Sequence, residues 1–143
     1  MKIAVVGGGI VGATCAYYLS KEQKNGIVVF DYGLGQATKA SAGIISPWFS
    51  KRRNKPWYKM ARLGADFYLK LVEDLEDDGY NTNFYSQCGV YLLKKNEDKL
   101  PELKELAESR KELSPMIGDL EIISKEEVQK IIPSFDNNGD VLY

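Results

Sequence analysis

The sequence contains no histidine, and this absence excludes several kinds of chemistry. Ser-His and Cys-His nucleophile pairs, the H-E-x-x-H zinc site and every histidine-ligated metal need an imidazole. Cysteine is scarce as well, since the chain has only Cys15 and Cys88 and no C-x-x-C motif. Two distant thiols cannot build a disulfide framework or a four-thiolate zinc site, so we predict a reducing, cytoplasmic environment and no metal. Any chemistry must therefore depend on a cofactor or on other residue types.

The sequence also lacks an excess of charge of either sign and a long hydrophobic run. Its 143 residues carry 19 Lys and Arg against 20 Asp and Glu, which argues against a nucleic-acid partner. The uncharged run from Ile3 to Leu19 imitates a signal peptide, but glycines interrupt it and no A-x-A cleavage site follows. It is also shorter than the ~20 residues of a membrane span. Membrane association is not indicated.

The first 30 residues predict a βαβ unit. Ile3–Val6 and Ile27–Phe30 are short apolar runs rich in β-branched residues, typical of parallel strands that are covered on both faces. Ile10–Ser20 between them predicts a buried helix, with Cys15 as a small hydrophobic residue in it. The chain has no further strands of this type apart from a short terminal run, Val141–Tyr143. We therefore expect an incomplete sheet that belongs to a longer protein or is completed by a partner chain or second copy.

A glycine motif occupies the turn between the first predicted strand and the helix. Residues 7–12 read G-G-G-I-V-G and satisfy G-x-G-x-x-G in the strand-turn-helix context that the motif requires. Gly7 would allow the turn, Gly9 would let a pyrophosphate approach the backbone, and Gly12 would let the helix pack closely. Asp31 ends the second strand near the ~20-residue offset expected for a ribose-binding acid, and its charge disfavours the 2'-phosphate of NADP. The motif predicts FAD or NAD, with a glycine turn that binds no ligand as the alternative.

The segments after residue 31 are less specific. Residues 36–47 form a loop rich in small and hydroxyl residues, suited to a phosphate or a flat polar ring but also typical of any flexible loop. The basic stretch at 51–55 is interpreted as a solvated surface rather than an anion-binding patch. An apolar period of three to four residues predicts a helix over 58–76, with Met60, Leu63, Phe67, Leu71 and Leu75 on its inner face.

The last third of the chain predicts short elements. Residues 84–85 and 89–93 have the composition of two short strands, possible partners of each other. A charged helix is expected over 97–113. Ser124 and Glu127 form a capping-box pattern at the start of a short helix that should end at Pro133.

Several of these segments resemble the N-terminus of the D-amino-acid oxidase family of FAD-dependent oxidoreductases, which includes glycine oxidase, sarcosine oxidase and D-amino-acid dehydrogenases. The similarity lies in VVGGGIVGATCAYYL, VVFDYG and QATKASAGIISPW, and it continues through CGVYLLKK and SKEEVQKIIPSF. Two features depart from the family pattern: Asp31 stands where Glu is usual, and Gly33-Leu34-Gly35 makes a compact approach to the loop. Asp is one methylene shorter, which puts the ribose contact in question.

The resemblance implies a set of residues that bind FAD. Those that would hold the pyrophosphate are Gly7, Gly9, Ile10, Val11 and Gly12. Those that would flank the adenosine ribose are Asp31 and Tyr32. Those that would lie along the flavin and its phosphates are Ala37, Thr38, Ser41, Ala42, Gly43 and Ile44. Without histidine or a well-placed cysteine, we expect the FAD to be non-covalent; no catalytic residue is assigned, because family members bind substrate through later parts of the chain.

Together these observations predict an α/β protein: the N-terminal part of a Rossmann-like FAD-binding domain at 1–80, then the beginning of an α+β substrate domain at 81–143. The resemblance implies an enzyme that oxidises a small amine or amino acid by hydride transfer to flavin N5, with the 143-residue segment inactive alone. Two alternatives stay open: a non-catalytic FAD-binding segment or subunit that needs a partner chain, and an NAD-dependent enzyme with the same βαβ unit.

Overall fold

The chain divides into two compact units, Met1–Ile44 and Ile45–Tyr143. The computed structural model describes residues 1–22, 26–52, 54–94, 96–132 and 141–142. The boundary between the compact units differs from our functional division at residue 80, which stays a prediction. No helix within these ranges is long and apolar enough to cross a membrane.

The first unit is a parallel βαβ unit, as the sequence predicts. Strand β1 (Lys2–Val6) pairs in parallel with β2 (Gly26–Phe30), and helix α1 (Ile10–Ser20) connects them. The register runs from Lys2 opposite Gly26 to Val6 opposite Phe30. Both strands thus end at the same edge of the sheet, which places the turn after β1 beside the turn after β2. A one-turn helix, α2 (Ala37–Ala40), follows.

The predicted burial of this unit is wrong for the residues described. Val6 is 85% exposed and Phe30 is 57% exposed, although we expected both strands to be covered on both faces. Helix α1 has no buried residue, and Cys15 is exposed. The physical reason is that a sheet of two strands has one helix to cover it here, whereas the apolar pattern is that of a strand between two layers.

A long helix opens the second unit. Helix α3 (Lys55–Asp77) begins earlier than predicted, because the Asn54 side chain accepts a hydrogen bond of 3.0 Å from the Trp57 N–H and caps its first turn. Its predicted inner face is confirmed at Leu71, which is buried, but is wrong at Met60, which is 77% exposed. The other buried residue described in the helix is Ala65, which the apolar period did not include.

Shorter elements complete the second unit. They are β3 (Leu93–Lys94), α4 (Leu100–Glu108), α5 (Lys125–Ile131) and β4 (Val141–Leu142). Leu100 and Leu103 of α4 form a small core with Phe49 and Leu92 packed against them. The capping box of α5 is confirmed: the Glu127 N–H donates to the Ser124 hydroxyl, and the Ser124 N–H donates to the Glu127 carboxylate. Pro133, the predicted end of this helix, lies outside the described residues.

The two strands predicted at 84–85 and 89–93 are wrong except at Leu93. Residues 84–92 form no strand, and Leu93–Lys94 pairs antiparallel with Val141–Leu142. A strand requires a neighbouring strand for its backbone hydrogen bonds, and residues 84–85 do not pair with residues 89–93. The charged helix predicted over 97–113 is instead one helix, α4, flanked by 3-10 turns at Glu97–Lys99 and Lys111–Leu113.

Candidate cofactor site

The glycine turn after β1 favours glycine for two reasons, backbone conformation at Gly7 and close packing at Gly12. Gly7 has a φ of 97°, a left-handed conformation that favours glycine, and its N–H donates to the Phe30 carbonyl at 2.7 Å. A Cβ added to Gly12 would lie 1.9 Å from the Gly7 carbonyl oxygen and 3.4 Å from Val5 Cγ1. Helix α1 therefore begins in direct contact with the turn and with β1, as the motif predicts.

The N-terminus of α1 has the features of an anion-binding site. Its N-cap, Gly9, has no side chain that could satisfy the free N–H groups, and the first turn contains no acidic residue. The Thr38 hydroxyl lies close by: it accepts the Ile10 N–H at 3.2 Å, and a Cβ on Gly9 would stand 3.4 Å from it. The loop after β2 thus brings a hydroxyl to the positive end of the helix, 28 residues along the chain from Ile10.

Asp31 is held by three donors at the end of β2. Its Oδ2 accepts the Gly8 N–H at 2.5 Å, and its Oδ1 accepts the Gly33 N–H at 2.7 Å and the Gln36 Nε2 at 2.9 Å. A Cβ on Gly8 would lie 2.9 Å from Asp31 Oδ2. The carboxylate is therefore locked against the glycine turn although it remains exposed to solvent.

These hydrogen bonds also keep Asp31 ionised. The Gly8 N–H lowers the pKa of Asp31 most, followed by the Gln36 amide and the Gly33 N–H, with a smaller contribution from the charge of Lys39. Burial opposes the shift but does not reverse it. A carboxylate that stays charged and accepts hydrogen bonds suits the recognition of hydroxyl groups.

The remaining predicted site residues extend along the loop after β2. The Ser41 hydroxyl donates to the Thr38 carbonyl at 2.9 Å, and Gly43 has a φ of 69°. Tyr32 and Ile44 are exposed large side chains that a ligand could reach. The structure thus groups the glycine turn, Asp31 and Thr38; it gives no hydrogen bond from residues 42–44 to the glycine turn within the described ranges.

Sequence reasoning missed all three residues that donate to Asp31, which are Gly8, Gly33 and Gln36. Gly8 occupies the variable position of G-x-G, and Gln36 lies at the start of a loop whose composition is unspecific. The run of three glycines was the available signal for Gly8, because a short acid at position 31 must come close to the turn. No sequence signal indicated Gln36.

The described residues fit a dinucleotide. The turn has backbone N–H groups at a helix N-terminus whose N-cap, Gly9, has no side chain, and Gly12 is in direct contact with the turn, which is the cradle that a pyrophosphate needs. An ionised carboxylate stands at the end of the neighbouring strand, where an adenosine ribose would lie.

Comparison with known proteins identifies the family. The sequence pattern of the FAD dependent oxidoreductase (DAO) family matches residues 2–143. The chain is 40% identical over 129 residues to the uncharacterized oxidoreductase YurR of Bacillus subtilis (strain 168), covering 90% of this chain and 35% of YurR. It is 34% identical over 76 residues to the glycine oxidase of the same organism, covering 52% of this chain and 20% of that protein.

A solved structure shares the fold. The crystal structure of iminodiacetate oxidase (IdaA) from Chelativorans sp. BNC1 superposes with a TM-score of 0.85 at 25% identity, covering 99% of this chain and 38% of that chain. The chain thus spans little more than a third of the length of YurR and of this oxidase. The match supports a partial Rossmann-like FAD-binding domain, and it favours FAD over NAD. The chain belongs to the D-amino-acid oxidase family of FAD-dependent oxidoreductases, and its cofactor is FAD.

Proposed function

We propose that this chain is the FAD-binding part of an enzyme that oxidises a small amine or amino acid. The observation that carries the proposal is the grouping of the glycine turn, the N-terminus of α1 and the ionised Asp31 at one sheet edge. FAD bound here would supply the redox chemistry by taking up hydride at N5 from the substrate α-carbon, and water would hydrolyse the resulting imine to an oxo acid and ammonia or an amine. A cytoplasmic location is part of the same proposal.

Each group of residues has a separate role. The backbone of residues 7–12 binds the pyrophosphate, because its N–H groups and the positive end of α1 favour two negative charges. Asp31 accepts a hydrogen bond from the adenosine ribose, with Tyr32 beside it. The loop residues reach toward the flavin and its phosphates; they are Ala37, Thr38, Ser41, Ala42, Gly43 and Ile44.

The names of the relatives support the substrate class. One relative is a glycine oxidase and the matching structure is an iminodiacetate oxidase, so both act on a small molecule that has a nitrogen and a carboxylate. We therefore propose the same substrate class for this chain. We expect the residues that select the substrate to lie outside the FAD site.

The test uses the chain together with any further sequence that its gene encodes. The purified protein is titrated with FAD, and we expect flavin absorption bands near roughly 370 and 450 nm to stay with the protein. Anaerobic addition of glycine, sarcosine or iminodiacetate should then bleach the longer-wavelength band, and the imine should be recovered as an oxo acid. Asp31→Ala should weaken FAD binding, whereas Asp119→Ala, an exposed acid in the other unit, should not.

The outcomes separate the alternatives. FAD binding without bleaching by any amine or amino acid would favour a non-catalytic FAD-binding subunit. Failure to bind FAD, or equal affinity in the two Ala variants, would reject the proposed site.

A further inference from the structure

The carboxylate of Asp31 has few acceptor positions left. A carboxylate offers about four lone-pair positions, two on each oxygen. The Gly33 N–H and the Gln36 amide use both positions on Oδ1, at 2.7 and 2.9 Å. The Gly8 N–H uses one position on Oδ2, at 2.5 Å. One position on Oδ2 therefore stays available to a ligand hydroxyl.

Gln36 differs from the other two donors because it is a side chain. Gly8 and Gly33 donate from the backbone, so no substitution other than proline removes their N–H groups. Gln36 is half-buried and stands at the N-cap of α2, where its carbonyl accepts the Ala40 N–H at 3.1 Å. Its backbone is thus held by the helix that follows, which aims the carboxamide at Asp31.

We propose that Gln36 is a positioning residue for the adenosine ribose: its carboxamide occupies Oδ1 of Asp31 and leaves Oδ2 to accept a single ribose hydroxyl. This inference rests on the proposed function, because it assumes that Asp31 contacts the ribose. It refines the expectation for an acid at this position, because it names Oδ2 as the oxygen that Gln36 orients toward the ribose. The short side chain of Asp31 suits this role. Gln36 fixes the rotation of the Asp31 carboxylate, and the backbone at Gly8 lies directly against that carboxylate.

The experiment compares two probes that differ only in the ribose hydroxyls. ADP and 2',3'-dideoxy-ADP are each titrated into the apo form of the chain, expressed with any further sequence of its gene. The variants are Gln36→Met, which keeps the length but has no donor, and Gln87→Met, the same change at an exposed glutamine in the other unit. The carboxyl pKa of Asp31 is followed by NMR in each protein.

We expect the unmodified protein and Gln87→Met to bind ADP about tenfold more tightly than the dideoxy probe. In Gln36→Met this ratio should fall toward one, and the pKa of Asp31 should rise because a donor to its charged form is lost.

Three results would overturn the inference. A Gln36→Met variant that weakens both probes equally would show a merely structural role for Gln36. An unchanged probe ratio together with an unchanged pKa of Asp31 would show that Gln36 does not position the carboxylate. If the unmodified protein binds ADP and 2',3'-dideoxy-ADP equally tightly, Asp31 does not contact the ribose and the inference is wrong. If the unmodified protein does not bind ADP at all, the proposed FAD site itself is rejected.

Discussion

At the scale of single residues, Gly12 illustrates how the cofactor motif acts through packing. A methyl group at this position would meet the Gly7 carbonyl oxygen at 1.9 Å, a backbone atom that cannot move without opening the turn. The same residue type has no such constraint at Gly64, in the middle of α3, where an added Cβ meets nothing within 4 Å. The two glycines therefore form a matched pair for experiment.

We predict that Gly12→Ala lowers the free energy of unfolding by about 1–3 kcal/mol and weakens FAD binding, since the overpacked turn must shift. Gly64→Ala should raise the free energy of unfolding by about 0.5–1 kcal/mol, because alanine is the better helix former in an exposed interior position. Urea denaturation and FAD titration of both variants measure these effects. A Gly12→Ala variant as stable as Gly64→Ala would contradict the packing argument.

Asp31 makes a prediction about pH. Its pKa in the folded protein lies below the ordinary 3.8, chiefly because the Gly8 N–H donates to the carboxylate. A lowered pKa means that the ionised group stabilises the fold above the unfolded pKa, and this contribution is lost as the pH falls through the folded pKa. The free energy of unfolding of the natural protein should therefore exceed that of Asp31→Asn near neutral pH, with a difference that stays constant down to about pH 5 and then shrinks as the pH falls through the folded pKa, which lies below 3.8. Because Asp31 is exposed, solvent screens its charge and the difference in the free energy of unfolding should be small. A difference that grows on acidification would contradict the prediction.

At the scale of elements, Arg110 ties together three parts of the second unit. It follows α4, and its guanidinium donates to the Trp48 carbonyl and, at 3.1 Å, to the Ser50 carbonyl. It also stacks over the ring of Tyr58 in α3, 4.0 Å from the ring centroid. A planar fork of donors with an aromatic face below it is an arrangement that lysine cannot reproduce.

Replacing Arg110 with Met should lower the free energy of unfolding by about 2 kcal/mol, because hydrogen bonds from a charged donor are lost and two carbonyl partners lose their donor. Arg52→Met is the control: Arg52 stacks over Trp57 at 4.6 Å on an exposed surface, and its loss should cost about 0.5–1 kcal/mol. The pKa of Tyr58, raised mainly by burial and lowered by the charge of Arg110, should rise further in Arg110→Met only. Thermal unfolding and a spectrophotometric tyrosine titration measure both effects, and equal losses of stability in the two variants would contradict this role.

Elements set by local chemistry were predictable from the sequence, and those set by distant pairing were not. The Ser124–Glu127 capping box depends on neighbours in the chain. The strand at Leu93–Lys94 depends on a partner at 141–142, which no local pattern reveals. For the same reason the glycine motif and Asp31 could be predicted as a site, but the Gln36 contact could not, since it requires the path of the loop after β2.

At the scale of the whole molecule, the division into two compact units separates the two groups of interactions described above. The groups that would meet a side chain at Gly12 lie at Gly7 and Val5, within Met1–Ile44. The partners of Arg110 lie at Trp48, Ser50 and Tyr58, within Ile45–Tyr143. The two sets have no member in common, so neither substitution removes a contact that the other depends on.

We therefore predict that the effects of Gly12→Ala and Arg110→Met add in the double variant to within about 0.5 kcal/mol, as expected for sites without shared partners. Amide hydrogen exchange should localise each effect, with faster exchange in β1, α1 and β2 for Gly12→Ala and in α3 and α4 for Arg110→Met. FAD should slow exchange in the first set of amides, because a ligand that binds only the folded site stabilises what it contacts. A deviation from additivity well above about 0.5 kcal/mol would contradict this prediction. So would faster exchange of the α4 amides in Gly12→Ala, because it would mean that the glycine turn stabilises the second unit as well as binding the cofactor.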